Sequence, residues 1–354
     1  MMRAVRFHGR EDIRLDQVEI PVCGKGQVKV KPAFVGICGT DLHEYLGGPT
    51  LIPTAPHPLT KEKLPVTLGH EFSGTVEEVG EGLNDIQVGD KVAIFPILYD
   101  DTCGVCRRGL QNICVSSGAI GLTGRGGGLS EHIVLNRDQV YILPSHISLE
   151  VGALVEPLAV AWHAIQSSLF QAGDSALIIG GGPIGLGLVQ VLKALGADKI
   201  IVSEISPRRQ EFAKMFGGHH ILDPSRDDVA RMSKEICDGL GPDVVFDAAG
   251  VQAGLDAAME AVKPGGTVVN IAAWGKPAVL DPTKLVVGEK KYIGVMTYVR
   301  RDFEAVIEAL GSGVLEPSAM VTSRVKLADV VEKGLKVMIN DKDKDVKIMV
   351  DVQQ

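Results

Sequence analysis

The sequence predicts an α/β fold in two parts: a β-rich domain with long loops, and a doubly wound parallel sheet flanked by helices. Three observations carry this. The chain has 354 residues, more than one hydrophobic core usually serves. In its first part, runs such as QVKVKPAFVGI, FSGTVEEVG, KVAIFPI and SEHIVL are punctuated by Gly-, Pro- and Asp-rich turns, the spacing of a small barrel or sandwich. From about 158 to 295, apolar runs alternate with helical segments, the pattern of parallel strands joined by crossover helices.

Taken in order, residues 1–157 form the first domain. Its one odd connection is GGPTLIPTAPHPLTKEKLPVT at 47–67, a Pro-rich segment of the kind that borders a site. Residues 158–296 form the second domain. SALIIG (175–180), KIIVSE (199–204), HHILD (219–223), DVVFDAAG (243–250), TVVNIA (267–272) and KYIGVM (291–296) read as its buried strands. Segments such as LGLVQVLKALG and PRRQEFAKMFGG are the helices between them and end on glycine. Residues 297–354 return to mixed helix and strand and are expected to complete the first domain, which makes the second an insertion. The tract DKDKD (341–345) is expected as a solvated turn. Gly126–Gly128 is expected as a flexible turn rather than a phosphate loop, since no helix follows it.

Composition narrows the function. Apolar residues make up 45% and charged ones 23%, so a large core is available. The net charge of −8 argues against nucleic acid or an anionic membrane as partner and fits an enzyme for a small molecule. The longest apolar runs fall short of a membrane span, and the opening MMRAVRFHGREDIRL breaks into charge at once, unlike a signal peptide. A cytoplasmic protein is expected, with reduced cysteines better read as ligands than as bridges.

Gly180, Gly182 and Gly185 form G-x-G-x-x-G between an apolar strand and an apolar helix. The first allows a tight turn, the second lets a pyrophosphate approach the backbone, and the third brings helix close to strand; the helix N-terminus then offers N–H groups to the phosphates. Glu204 ends the next strand, where a carboxylate binds the adenosine ribose hydroxyls and repels a 2′-phosphate. NAD is therefore favoured over NADP, although Arg208 and Arg209 follow at once and arginine is the usual partner of the extra phosphate.

Cys38 lies in Cys38-Gly39-Thr40-Asp41-Leu42-His43, His70 and Glu71 follow the Pro-rich loop, and Glu156 stands where the first domain ends. Thiolate, imidazole and carboxylate are all ordinary zinc ligands, and three protein ligands with one open position define a catalytic site. Spacing alone leaves open whether residues so far apart converge.

C-G-T-D-x-H, then G-H-E-F-S-G-x-V, then a strand-ending E-P-L resemble the zinc-dependent medium-chain alcohol dehydrogenases, over essentially the whole chain. The resemblance implies a GroES-like catalytic domain and a Rossmann domain, zinc on Cys38, His70 and Glu156, and Glu71 able to approach or join the metal. Glu156 replaces the cysteine of liver-type relatives, which points to the polyol and diol branch. Thr40 is implied to accept the proton from the alcohol and His43 to relay it to solvent, while hydride passes to the nicotinamide. Asp100, Cys103, Cys106 and Cys114 copy the spacing of the family's structural zinc lobe, with Asp100 in place of the first cysteine and Asp101 as an alternative one residue out of register. Cys23 and Cys237 are read as plain thiols and His219 and His220 as structural. Arg209 joins the glycines and Glu204 as a cofactor-side residue.

LHEYLGGP, HPLT and EPLAVAWHA are similar to the 2,3-butanediol dehydrogenases, which implies a diol or ketone substrate such as (R,R)-2,3-butanediol and acetoin. A sorbitol or xylitol dehydrogenase is the alternative and has a shorter connection at 47–67. A non-catalytic nucleotide-binding protein and a zinc-free quinone reductase are the rivals from other classes; such relatives tend to lack the Cys38–His70–Glu156 set. Relatives associate as homodimers or homotetramers through the edge of the Rossmann sheet.

Overall fold

A computed structural model describes residues 1–341 and 343–354. The chain forms two compact units, one of Met1–Glu156, Val299–Gly313 and Val321–Gln354, the other of Pro157–Tyr298 and Val314–Met320. The segment expected to return as one piece is thus divided. Within the second unit, Met320 is fully buried and its sulfur accepts a hydrogen bond from Gln190 Nε2 at 3.3 Å.

The first unit is built on strands β1 (Met2–Gly9), β2 (Asp12–Val18), β3 (Gln27–Gly36), β4 (Val66–Thr67), β5 (Glu71–Val79), β6 (Lys91–Ile94), β7 (Ile97–Leu98), β8 (Gly118–Ala119), β9 (Ile133–Asn136) and β10 (Val140–Ile142). The second contributes the parallel strands β11 (Ser175–Ile179), β12 (Lys199–Ser203), β13 (His220–Leu222), β14 (Val244–Asp247), β15 (Thr267–Asn270) and β16 (Lys291–Gly294). The chain then closes the first unit with β17 (Val321–Lys326) and β18 (Lys347–Asp351). Helices that matter below are α1 (Gly39–Gly47), α2 (Leu149–Gly152), α3 (Val155–Ser167), α4 (Pro183–Ala194) and α5 (Pro207–Phe216).

In the first unit the main sheet runs β10-β6-β5-β3-β18-β17, with β9 also paired to β3. β3 is antiparallel to both β5 and β18, and Gly36 pairs with Glu71 on one side and Met349 on the other. Alternation along these strands sends Val28, Val30, Phe72, Ile94 and Ile348 into one core. The Pro-rich segment is tied down by side chains. The buried Glu44 carboxylate accepts N–H bonds from Thr50 (3.0 Å) and Leu51 (2.7 Å), Thr60 Oγ1 donates to the Thr123 carbonyl (2.6 Å), and Glu62 accepts from Arg125 N (2.7 Å).

Two local expectations need correction. Gly126–Gly128 is a packing device rather than merely a flexible turn: a Cβ at 127 would lie 2.3 Å from the Leu68 carbonyl, and one at 128 would lie 2.5 Å from Phe72 Cγ. The charged tract at 341–345 is not wholly solvated. Lys342 lies outside the described residues; Asp341, Asp343 and Lys344 are exposed, but Asp345 is buried and accepts from the hydroxyls of Thr322 (2.8 Å) and Ser323. Those two hydroxyls are what make its burial tolerable.

In the second unit the all-parallel sheet runs β13-β12-β11-β14-β15-β16, so the order in which strands are added reverses between β11 and β14. Prolines at the first turn start α4 and α5, and Gly217 in the left-handed region (φ 113°) ends α5. Leu177, Ile201, Val245, Val268, Leu255 and Met259 form the core between sheet and helices. Among the described residues, no helix is long and apolar enough to cross a membrane.

Candidate metal centre and dinucleotide turn

The first cluster forms where three segments of the first unit meet. Cys38 caps α1, its backbone N–H held by Asp41 Oδ2 at 3.0 Å. Gly69 turns the chain with φ 97°, where a Cβ would lie 2.8 Å from Leu129 N, so glycine is needed for His70 to enter the site. Glu71 follows at the start of β5. Ligand atoms of Cys38, His70 and Glu71 lie within 4.8 Å of one another; His70 and Glu71 are buried and Cys38 half-buried. Glu156 lies in the first turn of α3, not at the end of a strand as expected; it is 7% exposed and its charge acts on His70, but it stands outside this tight set. Glu71, the first residue of β5, brings its carboxylate into the set directly after His70 in sequence.

The electrostatics call for a cation. Burial opposes a charge on His70, yet the neighbouring Cys38 and Asp41 charges raise its pKa well above the usual histidine range. His70 Nδ1 and Asp41 Oδ1 are 3.8 Å apart, both buried and neither hydrogen-bonded. The Lys347 ammonium answers the Glu71 carboxylate; the thiol, the imidazole and the buried Asp41 carboxylate that remain favour a further positive charge. Sulfur, nitrogen and oxygen donors together fit zinc.

Thr40 and His43 lie on α1, three residues apart and so on one side of the helix. Thr40 is half-buried with Oγ1 3.7 Å from Cys38 Sγ, and His43 is exposed.

A second cluster gathers Asp100, Cys103, Cys106 and Cys114, again within 4.8 Å, while Asp101 is exposed and outside it. Asp100 Oδ1 accepts N–H bonds from Thr102 and Cys103, both 2.8 Å, which pull its carboxyl to a pKa of about 2 and leave Oδ2 for a ligand role. Backbone N–H groups of Cys106 and Val115 lower the Cys103 thiol to about 7. Burial and the two neighbouring sulfurs push Cys106 up to about 12. Three thiols this close cannot all ionise by themselves; a divalent cation removes that conflict.

In the second unit the glycine turn joins β11 to α4. Gly180 has φ 97°, Gly182 caps α4, and a Cβ on Gly185 would lie 1.9 Å from the Gly180 carbonyl oxygen. Glu204, directly after β12, accepts N–H bonds from Gly181 (2.6 Å, Oε2) and Ser206 (2.8 Å, Oε1). Arg209 is half-buried in the first turn of α5, and Arg208 is exposed.

Two groups at these sites escaped sequence reasoning. Lys347, 1% exposed on β18, donates to Glu71 Oε2 (2.5 Å) and to the Ile37 carbonyl (3.1 Å). A single lysine inside the apolar run VKIMV was the available signal. The motif around Cys38 includes Asp41 but carries no sign of its closeness to His70.

Family comparisons agree with this geometry. Residues 24–145 match the alcohol dehydrogenase GroES-like domain and residues 183–312 the zinc-binding dehydrogenase domain. The chain belongs to the zinc-binding alcohol dehydrogenases, a GroES-like domain joined to a Rossmann domain, and is a zinc- and nicotinamide-dependent oxidoreductase. Within that family it is 43% identical to the (R,R)-butanediol dehydrogenase of Bacillus subtilis (strain 168), over 99% of both chains. It is 40% identical to the (R,R)-butanediol dehydrogenase of Neisseria gonorrhoeae, again over 99% of both. The crystal structure of the 2R,3R-butanediol dehydrogenase from Bacillus subtilis superposes with a TM-score of 0.93 at 41% identity, covering 99% of this chain and 100% of that one.

Proposed function

We propose that the chain interconverts (R,R)-2,3-butanediol and acetoin with NAD as hydride carrier. The observation that carries this is the convergence of Cys38, His70 and Glu71 from distant parts of the sequence, in a chain so similar to butanediol dehydrogenases. Cys38, His70 and Glu156 are the zinc ligands in this reading, and Glu71 stands by as a further carboxylate. Zinc, when bound, acidifies an alcohol, and the nicotinamide accepts its hydride. Thr40 takes the released proton at Oγ1 and His43, exposed on the same helix, passes it to solvent. Two carboxylates beside the metal suit a substrate with two adjacent oxygens, one for the metal and one to donate a hydrogen bond.

Asp100, Cys103, Cys106 and Cys114 hold a second, structural zinc. Each oxygen of Glu204 already accepts one backbone N–H and keeps a lone pair for a ribose hydroxyl, while its charge repels a 2′-phosphate. That supports NAD over NADP. Reduced thiols in the lobe support a cytoplasmic setting. The open edge of β16, with Val279, Val286 and Val287 exposed nearby, supports a homo-oligomer formed along the sheet.

The test is zinc content measured together with NAD- and NADP-linked turnover of (R,R)-2,3-butanediol, its stereoisomers, sorbitol and xylitol. Two zincs per chain with NAD-linked butanediol oxidation is the expected result. Faster turnover of sorbitol or xylitol overturns the substrate, and full activity after metal removal overturns the mechanism.

A further inference from the structure

Glu204 is not the only acid beside the glycine turn. In the sheet, β11 lies between β12 and β14, and each neighbour delivers one carboxylate at its carboxyl end: Glu204 just after β12, Asp247 as the last residue of β14. Asp247 is fully buried. Its Oδ1 accepts N–H bonds from Ala249 and Gly250, both 3.0 Å, and its Oδ2 is buried without a hydrogen-bond partner. Its backbone carbonyl also accepts from Ile271 (3.0 Å) and Ala272 (3.2 Å), which ties it to the end of β15.

The turn that Asp247 folds lies against the first glycine of the motif. Ala248 N donates to the Ile179 carbonyl at 3.0 Å, and a Cβ on Gly180 would lie 3.2 Å from Ala249 Cβ and 3.3 Å from Ala249 N. Gly250 takes φ 64°, closing the turn tightly toward Ala272. The order in which strands are added to the sheet reverses between β11 and β14, and open α/β sheets bind ligands in the crevice outside the strand ends at such a switch point. Residues 248–250 therefore form the wall of that crevice opposite Glu204.

We propose that Asp247 is a positioning residue for the dinucleotide: it folds the 248–250 turn that fixes Gly180, so that Glu204 and Asp247 brace the phosphate-binding turn from its two sides. The inference rests on the cofactor reading above. It assigns Asp247 no direct bond to the cofactor. Burial pushes its carboxyl pKa up, which favours a state with less negative charge close to a pyrophosphate. Asparagine, with the same shape and an oxygen for the two N–H groups, should serve nearly as well.

The experiment uses the full-length zinc-loaded protein and measures NADH affinity by fluorescence titration, with kcat, KM for NAD, zinc content and Tm. Asp247→Ala should weaken NADH binding and raise KM for NAD by about tenfold, with a much smaller change in kcat. Asp247→Asn should restore most of the affinity. Ala249→Val, at an exposed position that folding tolerates, should weaken NADH binding with little change in Tm by crowding Gly180. Unaltered NADH affinity in Asp247→Ala and Ala249→Val overturns the inference. Asp247→Asn as weak as Asp247→Ala also overturns it, since that result means direct contact by the carboxylate. A wild-type chain that binds neither NADH nor NADPH overturns the cofactor reading along with it.

Discussion

Lys347 and Glu71 meet across Gly36. The lysine comes from β18 and the glutamate from β5, and β3 runs between them. A Cβ on Gly36 would lie 2.2 Å from Glu71 Oε2, so the bare glycine makes room for the carboxylate. Both side chains are about 2% exposed. An ion pair this deep beside the candidate metal centre fixes the position of Glu71.

Lys347→Met should therefore destabilise the protein by about 3–5 kcal/mol, because the glutamate is left charged and buried without its partner. The double variant Lys347→Met with Glu71→Gln should recover much of that loss. Urea unfolding of the four proteins of the cycle measures it. Additive losses would mean that the pair is not coupled.

The glycines of the dinucleotide turn should separate by their surroundings. A Cβ on Gly182 meets nothing within 4 Å and its φ is −71°, so Gly182→Ala should keep a wild-type Tm. It should still weaken NADH binding by about tenfold or more, since the methyl takes the space of the pyrophosphate. Gly185→Ala forces α4 from the Gly180 carbonyl and should lower both Tm and affinity.

At the cysteine lobe, Asp100→Asn should reduce zinc after dialysis against a mild chelator from two per chain to one, while Asp101→Asn should not. Hydrogen exchange over residues 99–118 should rise in Asp100→Asn alone. Equal zinc retention in both variants would remove Asp100 from the ligand set.

Acid stability has a readable sign at Glu131. Backbone and side-chain N–H groups of Arg3, at 2.7 and 2.9 Å, lower its pKa below the ordinary 4.5. A carboxylate depressed in the folded state stabilises above its unfolded pKa and loses that contribution as pH falls through the folded one. Glu131→Gln should cost about 1 kcal/mol at pH 7. The gap to wild type should close below pH 4.5, as followed by denaturation at a series of pH values.

By itself the sequence determined what is local and periodic. The strands from 175 to 294 alternate with helices whose starts and stops are written in Pro183, Pro207 and Gly217, and the glycine turn needs only neighbours in sequence. The clustering of Asp100, Cys103, Cys106 and Cys114 was legible for the same reason, since these residues span only 100–114. Tertiary structure alone decided what depends on register between distant strands. Lys347 reaches Glu71 only because β18 pairs beside β3, and Glu71 rather than Glu156 closes the tight set with Cys38 and His70. Asp345 is buried, and Gly127 and Gly128 are packed, through partners that no local pattern names. Periodicity tells which face of an element is apolar; it carries no record of which polar atom of another strand will come to lie against that face.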